Sequence, residues 1–109
     1  MDRIQTLLGY LQEDPADPFT RCALAQEYRK RAQIGEALSY FEALVVDSPG
    51  YVGTYYHLGK TYLESERLDD AIRTFEAGIR VAREQRDFHA LSELQDALLH
   101  ARGVGWDDE

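Results

Sequence analysis

The sequence predicts an all-α chain in which antiparallel helix–turn–helix hairpins stack as a short solenoid. Three observations predict it. The first is a repeat: Leu24 and Leu58, Tyr28 and Tyr62, Ala37 and Ala71, and Phe41 and Phe75 are identical pairs separated by one step of 34 residues, and Ile34 and Leu68 keep the step with similar residues. A fixed period of that kind, with small, aromatic and aliphatic positions in constant phase, marks a unit of two helices. The second is helical spacing of apolar residues on both sides of the repeat, at Ile4, Leu7, Leu8 and Leu11 before it and at Phe88, Leu91, Leu94, Leu98 and Ala101 after it. The third is punctuation, because Pro15, Pro18, Gly35 and Ser48-Pro49-Gly50 fall near the ends of these segments.

The elements follow in order. Asp2 stands where it can cap a first helix that runs to Glu13, within residues 1–14. Pro15 and Pro18 end that helix, and Pro18 suits the first turn of the next. Repeat one occupies residues 18–51, with its first helix over Pro18–Arg31 and its second ending at Asp47. Repeat two occupies residues 52–85, with helices over Val52–Ser65 and Leu68–Gln85. Asp69 and Asp70 put negative charge in the first turn of its second helix, where the helix dipole favours it. A last helix lies within residues 86–101, and residues 102–109 have no period and are expected to be a flexible tail. Two hairpins alone would leave apolar ends exposed, so the first and last helices are expected to cap a single domain over residues 1–101.

Within each hairpin, Ala25, Gly59, Ala37 and Ala71 are the small residues that let helices approach, and Tyr28, Tyr62, Phe41 and Phe75 fill the space beside them. Composition narrows the function classes. No apolar run reaches the roughly 20 residues of a membrane span, and Met1-Asp2-Arg3 opens no apolar signal core, so a cytoplasmic protein without membrane contact is expected. Cys22 is the only cysteine, so no disulfide forms within the chain. A net charge of −8 repels phosphate backbones, and no nucleic-acid partner is expected.

The second copy reads Tyr55-x-x-Leu58-Gly59-x-x-Tyr62, then Ala71-x-x-x-Phe75. The first reads Arg21-x-x-Leu24-Ala25-x-x-Tyr28, then Ala37-x-x-x-Phe41, and ends at Pro49. Over about residues 18–85 this resembles the tetratricopeptide repeat (TPR) family, whose pattern is W-x2-L-G-x2-Y, A-x3-F, P. Tyr55 and Arg21 depart from it at the Trp position, Ala25 at the Gly position, and Arg83 at the second Pro position. The resemblance implies two TPR units flanked by capping helices, the last of them similar to the extra helix that commonly follows a final repeat.

It also implies a function. Such scaffolds hold a peptide or partner protein on a concave face lined by the first helix of each repeat, and they are not enzymes. Carried over by phase, that face includes Cys22, Gln26, Arg29 and Lys30 in repeat one and Tyr56, His57, Lys60 and Glu64 in repeat two. The expected partner-binding set is Gln26, Arg29, Lys30, Tyr56, His57 and Lys60, with Ala90 and Glu93 added by the last helix. Arg29 and Lys60 suit the carboxylates of an acidic or C-terminal peptide, and Tyr56 suits a flat contact. The plain alternative is that Arg29, Lys30 and Lys60 are solvated charges paired with Glu27 and Glu64. Some relatives grip chaperone C-termini through a Lys and Asn clamp. Cys22, Gln26 and His57 stand where that clamp needs Lys and Asn, so it is not reproduced.

Little points to chemistry. Cys22 and His57 form a Cys–His combination with no third orienting group. His57, His89 and His100 lack metal-ligand spacing, and no glycine loop suits a phosphate, so no catalytic residue, metal or cofactor is expected. The acidic Trp106-Asp107-Asp108-Glu109 end can dock into a groove or remain solvated. The competing function is self-association through the last helix or this tail, so a monomer or weak homodimer is expected.

Overall fold

The computed structural model describes residues 2–107, with side chains through residue 103. Six α-helices and no strand occur among the described residues: α1 (Arg3–Glu13), α2 (Pro18–Lys30), α3 (Ile34–Asp47), α4 (Gly53–Glu64), α5 (Leu68–Gln85) and α6 (Phe88–Asp107). The chain forms two compact units that meet in sequence between Tyr51 and Val52, where one repeat gives way to the next.

In the first unit α2 packs on α1 and on α3. The Asp17 carboxylate accepts the Thr20 N–H at 3.2 Å and caps α2, whose first residue is Pro18. Asp2 precedes α1, but its side chain caps nothing. Its carboxylate instead takes both terminal nitrogens of Arg31, at the end of α2, with Nη1 at 2.9 Å. Glu27 adds to this cluster, receiving Arg3 at 3.4 Å and Arg31 at 3.5 Å, so two basic and two acidic groups tie α1 to α2. Leu24, Ala25, Ala37, Phe41 and Leu44 are fully buried and form the apolar centre of the unit.

In the second unit α4, α5 and α6 pack against one another. A Cβ built on Gly59 would meet the Phe75 ring at 2.2 Å, so the missing side chain is what lets the ring lie against α4. Gly78 has the same role on α5: a Cβ there would meet the Tyr55 Cβ at 2.6 Å and both Leu94 methyls at 3.1 Å. Phe75, Ala71, Ala82, Leu94 and Ala101 are buried around these contacts. Burying an aromatic side chain such as Phe75 is worth about 1.5–3 kcal/mol against leaving it in water.

The two hairpin turns are the same turn. Gln33 N–H donates to the Tyr28 carbonyl at 2.9 Å, and Arg67 N–H donates to the Tyr62 carbonyl at 2.9 Å. Ala32 and Glu66 each sit in the left-handed region with φ 60, at equivalent positions of the repeat. This is the helix-ending motif that glycine usually serves, here built without one. Gly35, which the sequence placed near the turn, lies inside α3. α5 ends in the same way at Arg86, with φ 55 and Asp87 N–H bonded to the Ala82 carbonyl at 2.9 Å. Asp87 then caps α6 by accepting the Ala90 N–H at 3.0 Å.

The last helix does not stop at Ala101. Its backbone stays helical through Asp107, so residues 102–107 are not the aperiodic tail expected from sequence. Arg102 ties this stretch to α5 through Glu76 at 3.1 Å, and no described glycine has a positive φ to turn the chain away. Docking of the Trp106–Glu109 side chains lies outside the described residues.

Candidate functional site

Each unit carries a cleft beside its first repeat helix. In the first unit a cleft of about 290 Å³ is lined by Phe19, Cys22, Ala23, Gln26, Glu27 and Lys30 from α2, by Arg3 from α1 and by Tyr51. In the second, a cleft of about 250 Å³ is lined by Tyr56, Lys60 and Leu63 from α4 and by Glu93, Asp96, Ala97 and His100 from α6. The two are related by the repeat. Cys22 and Tyr56 are one step of 34 apart, and so are Gln26 and Lys60. Helical geometry puts such i and i+4 pairs on one face.

The clefts differ in chemistry. In the first, Phe19 is 70% exposed and supplies an apolar edge. Glu27 is held by Arg3 and Arg31, while Lys30 makes no ion pair with a described residue. The balance is basic. In the second, the Lys60 ammonium lies 5.8 Å from the Tyr56 ring centre, within cation–π range. Glu93 and Asp96 oppose it from α6, and Glu93 is reached by His89 at 3.5 Å. The balance there is acidic.

Four of the six expected partner-binding residues, Gln26, Lys30, Tyr56 and Lys60, line these clefts. Arg29 and His57 do not. Arg29 is half-buried on α2. His57 is half-buried on α4 and meets Tyr56 edge-on, with ring centres 5.5 Å apart. Glu93 lines the second cleft and Ala90 does not. Sequence reasoning missed Arg3, Phe19, Tyr51, Leu63, Asp96 and His100. Glu93, Asp96, Ala97 and His100 do share one helical face, and that spacing was the available signal.

Cys22 is 4% exposed, and its sulfur accepts the Gln26 Nε2–H at 3.4 Å. Burial pushes the Cys22 thiol up from its ordinary value, against the opposing effect of the Gln26 bond. Thiolate chemistry is therefore disfavoured there. Among the described residues, no group of three or more His, Cys, Asp or Glu side chains is placed to hold a metal ion, and no helix is long and apolar enough to cross a membrane.

A family model described as tetratricopeptide repeat matches residues 23–94. No curated protein sequence matches. Two solved structures of a tetratricopeptide repeat domain protein from Salinibacter ruber are each 58% identical to this chain. The solution NMR structure has a TM-score of 0.80, with 84% of this chain and 92% of that one covered. The crystal structure has a TM-score of 0.77, with 81% and 99% covered. The TPR2B domain of yeast Sti1, solved as a complex with pHsp70, has a TM-score of 0.86 at 15% identity, with 93% and 81% covered. At that identity the likeness is one of fold.

Proposed function

We propose, from the premise that this chain belongs to the tetratricopeptide repeat family, that it is a non-enzymatic interaction module that holds a partner protein, with one contact surface at the α2 cleft of the first unit and one at the α4 cleft of the second. Repeats of this family are protein-interaction scaffolds, and that general role applies to the chain. The finer reading rests on one observation: both units open a cleft at repeat-equivalent positions, Cys22 with Gln26 and Tyr56 with Lys60.

The side chains supply recognition. Lys30 offers an ammonium to a carboxylate beside the apolar ring of Phe19. Tyr56, of a residue type enriched at binding hot spots, offers an amphipathic face with Lys60 above it. Glu93 and Asp96 favour a basic or amide group next to that ring. In this reading the first cleft takes acidic residues of the partner and the second a basic or amide group. The Lys and Asn clamp for chaperone tails is absent at Cys22, Gln26 and His57, so the pHsp70 complex of Sti1 gives the fold and not the ligand. The cytoplasm is the compartment in this reading, where the lone thiol of Cys22 stays reduced.

The test is a pull-down from native lysate with mass-spectrometric readout, run beside a Tyr56→Ala/Lys60→Glu variant and a Lys30→Glu variant. A partner held by the wild type and lost by both variants is expected. A partner retained by both moves the working surface off α2 and α4. Self-association would show as concentration-dependent mass in light scattering.

A further inference from the structure

α6 has a second working side. Its residues 93, 96, 97 and 100 face the cleft shared with α4, while residues 95, 98, 99 and 102 face another of about 450 Å³ shared with α5. The apolar part of this second cleft is Ile79, Leu98 and Leu99, and Leu99 is 72% exposed. Its basic part is Arg80, Arg83 and Arg102. Arg102 pairs with Glu76 at 3.1 Å, whereas Arg80, which lies within electrostatic reach of Tyr55, and Arg83 make no ion pair with any described residue. Three guanidiniums against one carboxylate, around an exposed leucine, stand out in a chain of net charge −8.

From this juxtaposition we infer that the α5–α6 cleft is a second docking surface, for an acidic segment of a partner protein that carries a bulky apolar side chain. The apolar side chain covers Ile79, Leu98 and Leu99, and flanking carboxylates pair with Arg80 and Arg83. Guanidinium groups suit carboxylates because they bind them bidentately and are weakly hydrated. Charge complementarity selects the occupant. A second copy meeting this face with its own would set Arg80 and Arg83 against their counterparts, since a two-fold interface uses the same patch twice. A lipid bilayer or a nucleic acid is an extended anionic surface that would also meet the acidic remainder of the chain, which a short segment confined to the cleft does not.

The experiment uses the full chain and three short fluorescein-labelled peptides, one of glutamate and leucine, one of lysine and leucine, and one of glutamate and serine. Anisotropy should show saturable binding of the glutamate–leucine peptide alone. Its NMR footprint should fall on the methyls of Ile79, Leu98 and Leu99. Arg80→Glu/Arg83→Glu and Leu99→Ser change exposed positions and should each weaken binding by about tenfold or more with the far-UV spectrum unchanged. The Tyr56→Ala/Lys60→Glu variant should bind as the wild type does, which separates this surface from the α4 cleft. Equal binding of the lysine–leucine peptide, equal binding of the glutamate–serine peptide, or a footprint on Tyr56 and Lys60 would each overturn the inference. So would the absence of saturable binding, cosedimentation with phosphatidylserine vesicles in preference to peptide, or a dimer abolished by Leu99→Ser.

Discussion

Gly59 and Gly9 are both helical glycines, and their surroundings give them opposite predicted effects. A Cβ at Gly59 would overlap the Phe75 ring at 2.2 Å, and that ring is fully buried. The ring or the α4–α5 spacing must move, so Gly59→Ala should destabilise by about 1–3 kcal/mol despite the better helix propensity of alanine. Gly9 meets nothing within 4 Å, and Gly9→Ala should stabilise by about 0.5–1 kcal/mol. Urea midpoints of the two variants, measured against the wild type, should shift in opposite directions. The position equivalent to Gly59 in repeat one is Ala25, so the aromatic–small contact tolerates a methyl where the neighbours are built around it. The departures at the Trp position are also explained locally. Arg21 pairs with Asp47 at 2.9 Å, while its counterpart Tyr55 packs its Cβ against Gly78. One repeat joins its two helices there by charge and the other by an aromatic side chain.

At the level of the element, the turns carry strain that the sequence does not advertise. Ala32 and Glu66 adopt φ 60 in otherwise identical hairpin turns. A left-handed conformation costs a non-glycine residue roughly 1–2 kcal/mol, part of which the greater freedom of glycine in the unfolded chain would return. Ala32→Gly should therefore stabilise the protein by about 0.5–1 kcal/mol. Thermal unfolding of that variant checks it, and a lower melting temperature would refute it. α6 is the element with the most functional consequence. Leu94, Ala97, Leu98 and Ala101 bury one stripe of it, and the residues on either side of the stripe form the walls of two different clefts.

For the whole molecule, acid is the informative perturbation. Hydrogen bonding to Arg31 lowers the Asp2 carboxyl below its ordinary 3.8, and hydrogen bonds to Arg67 and Arg73 lower Asp70 below the same value. Both groups bind fewer protons folded than unfolded in this range. Their contribution is complete above the ordinary carboxylate value and is lost as pH falls through the lower folded values. Stability should thus fall with pH below 3.8, with one such link in each unit. An Asp2→Asn/Asp70→Asn variant should show a shallower fall in urea titrations over that window. An equally steep fall would assign the acid sensitivity to other carboxylates. These pairs are partly exposed, so added salt should screen them.

Sequence alone determined the helical class, the two hairpins and their phase, because a 34-residue step places the same residue types in the same local environments twice. Local periodicity then sufficed to place Leu24, Phe41, Leu58 and Phe75 in the interior. The family resemblance, carried over by phase, named Gln26, Lys30, Tyr56 and Lys60, which line clefts, together with Arg29 and His57, which do not. Only the tertiary structure decided the other walls. α6 has no counterpart in the repeat, so its rotation follows from how Leu94 fits over Gly78, and that fit brings Glu93, Asp96 and His100 to Lys60 and Leu99 to Ile79. The same holds for Asp2. Its carboxylate could serve its own helix or the Arg31 guanidinium far along the chain, and the choice was made by packing that brings the two within hydrogen-bonding reach.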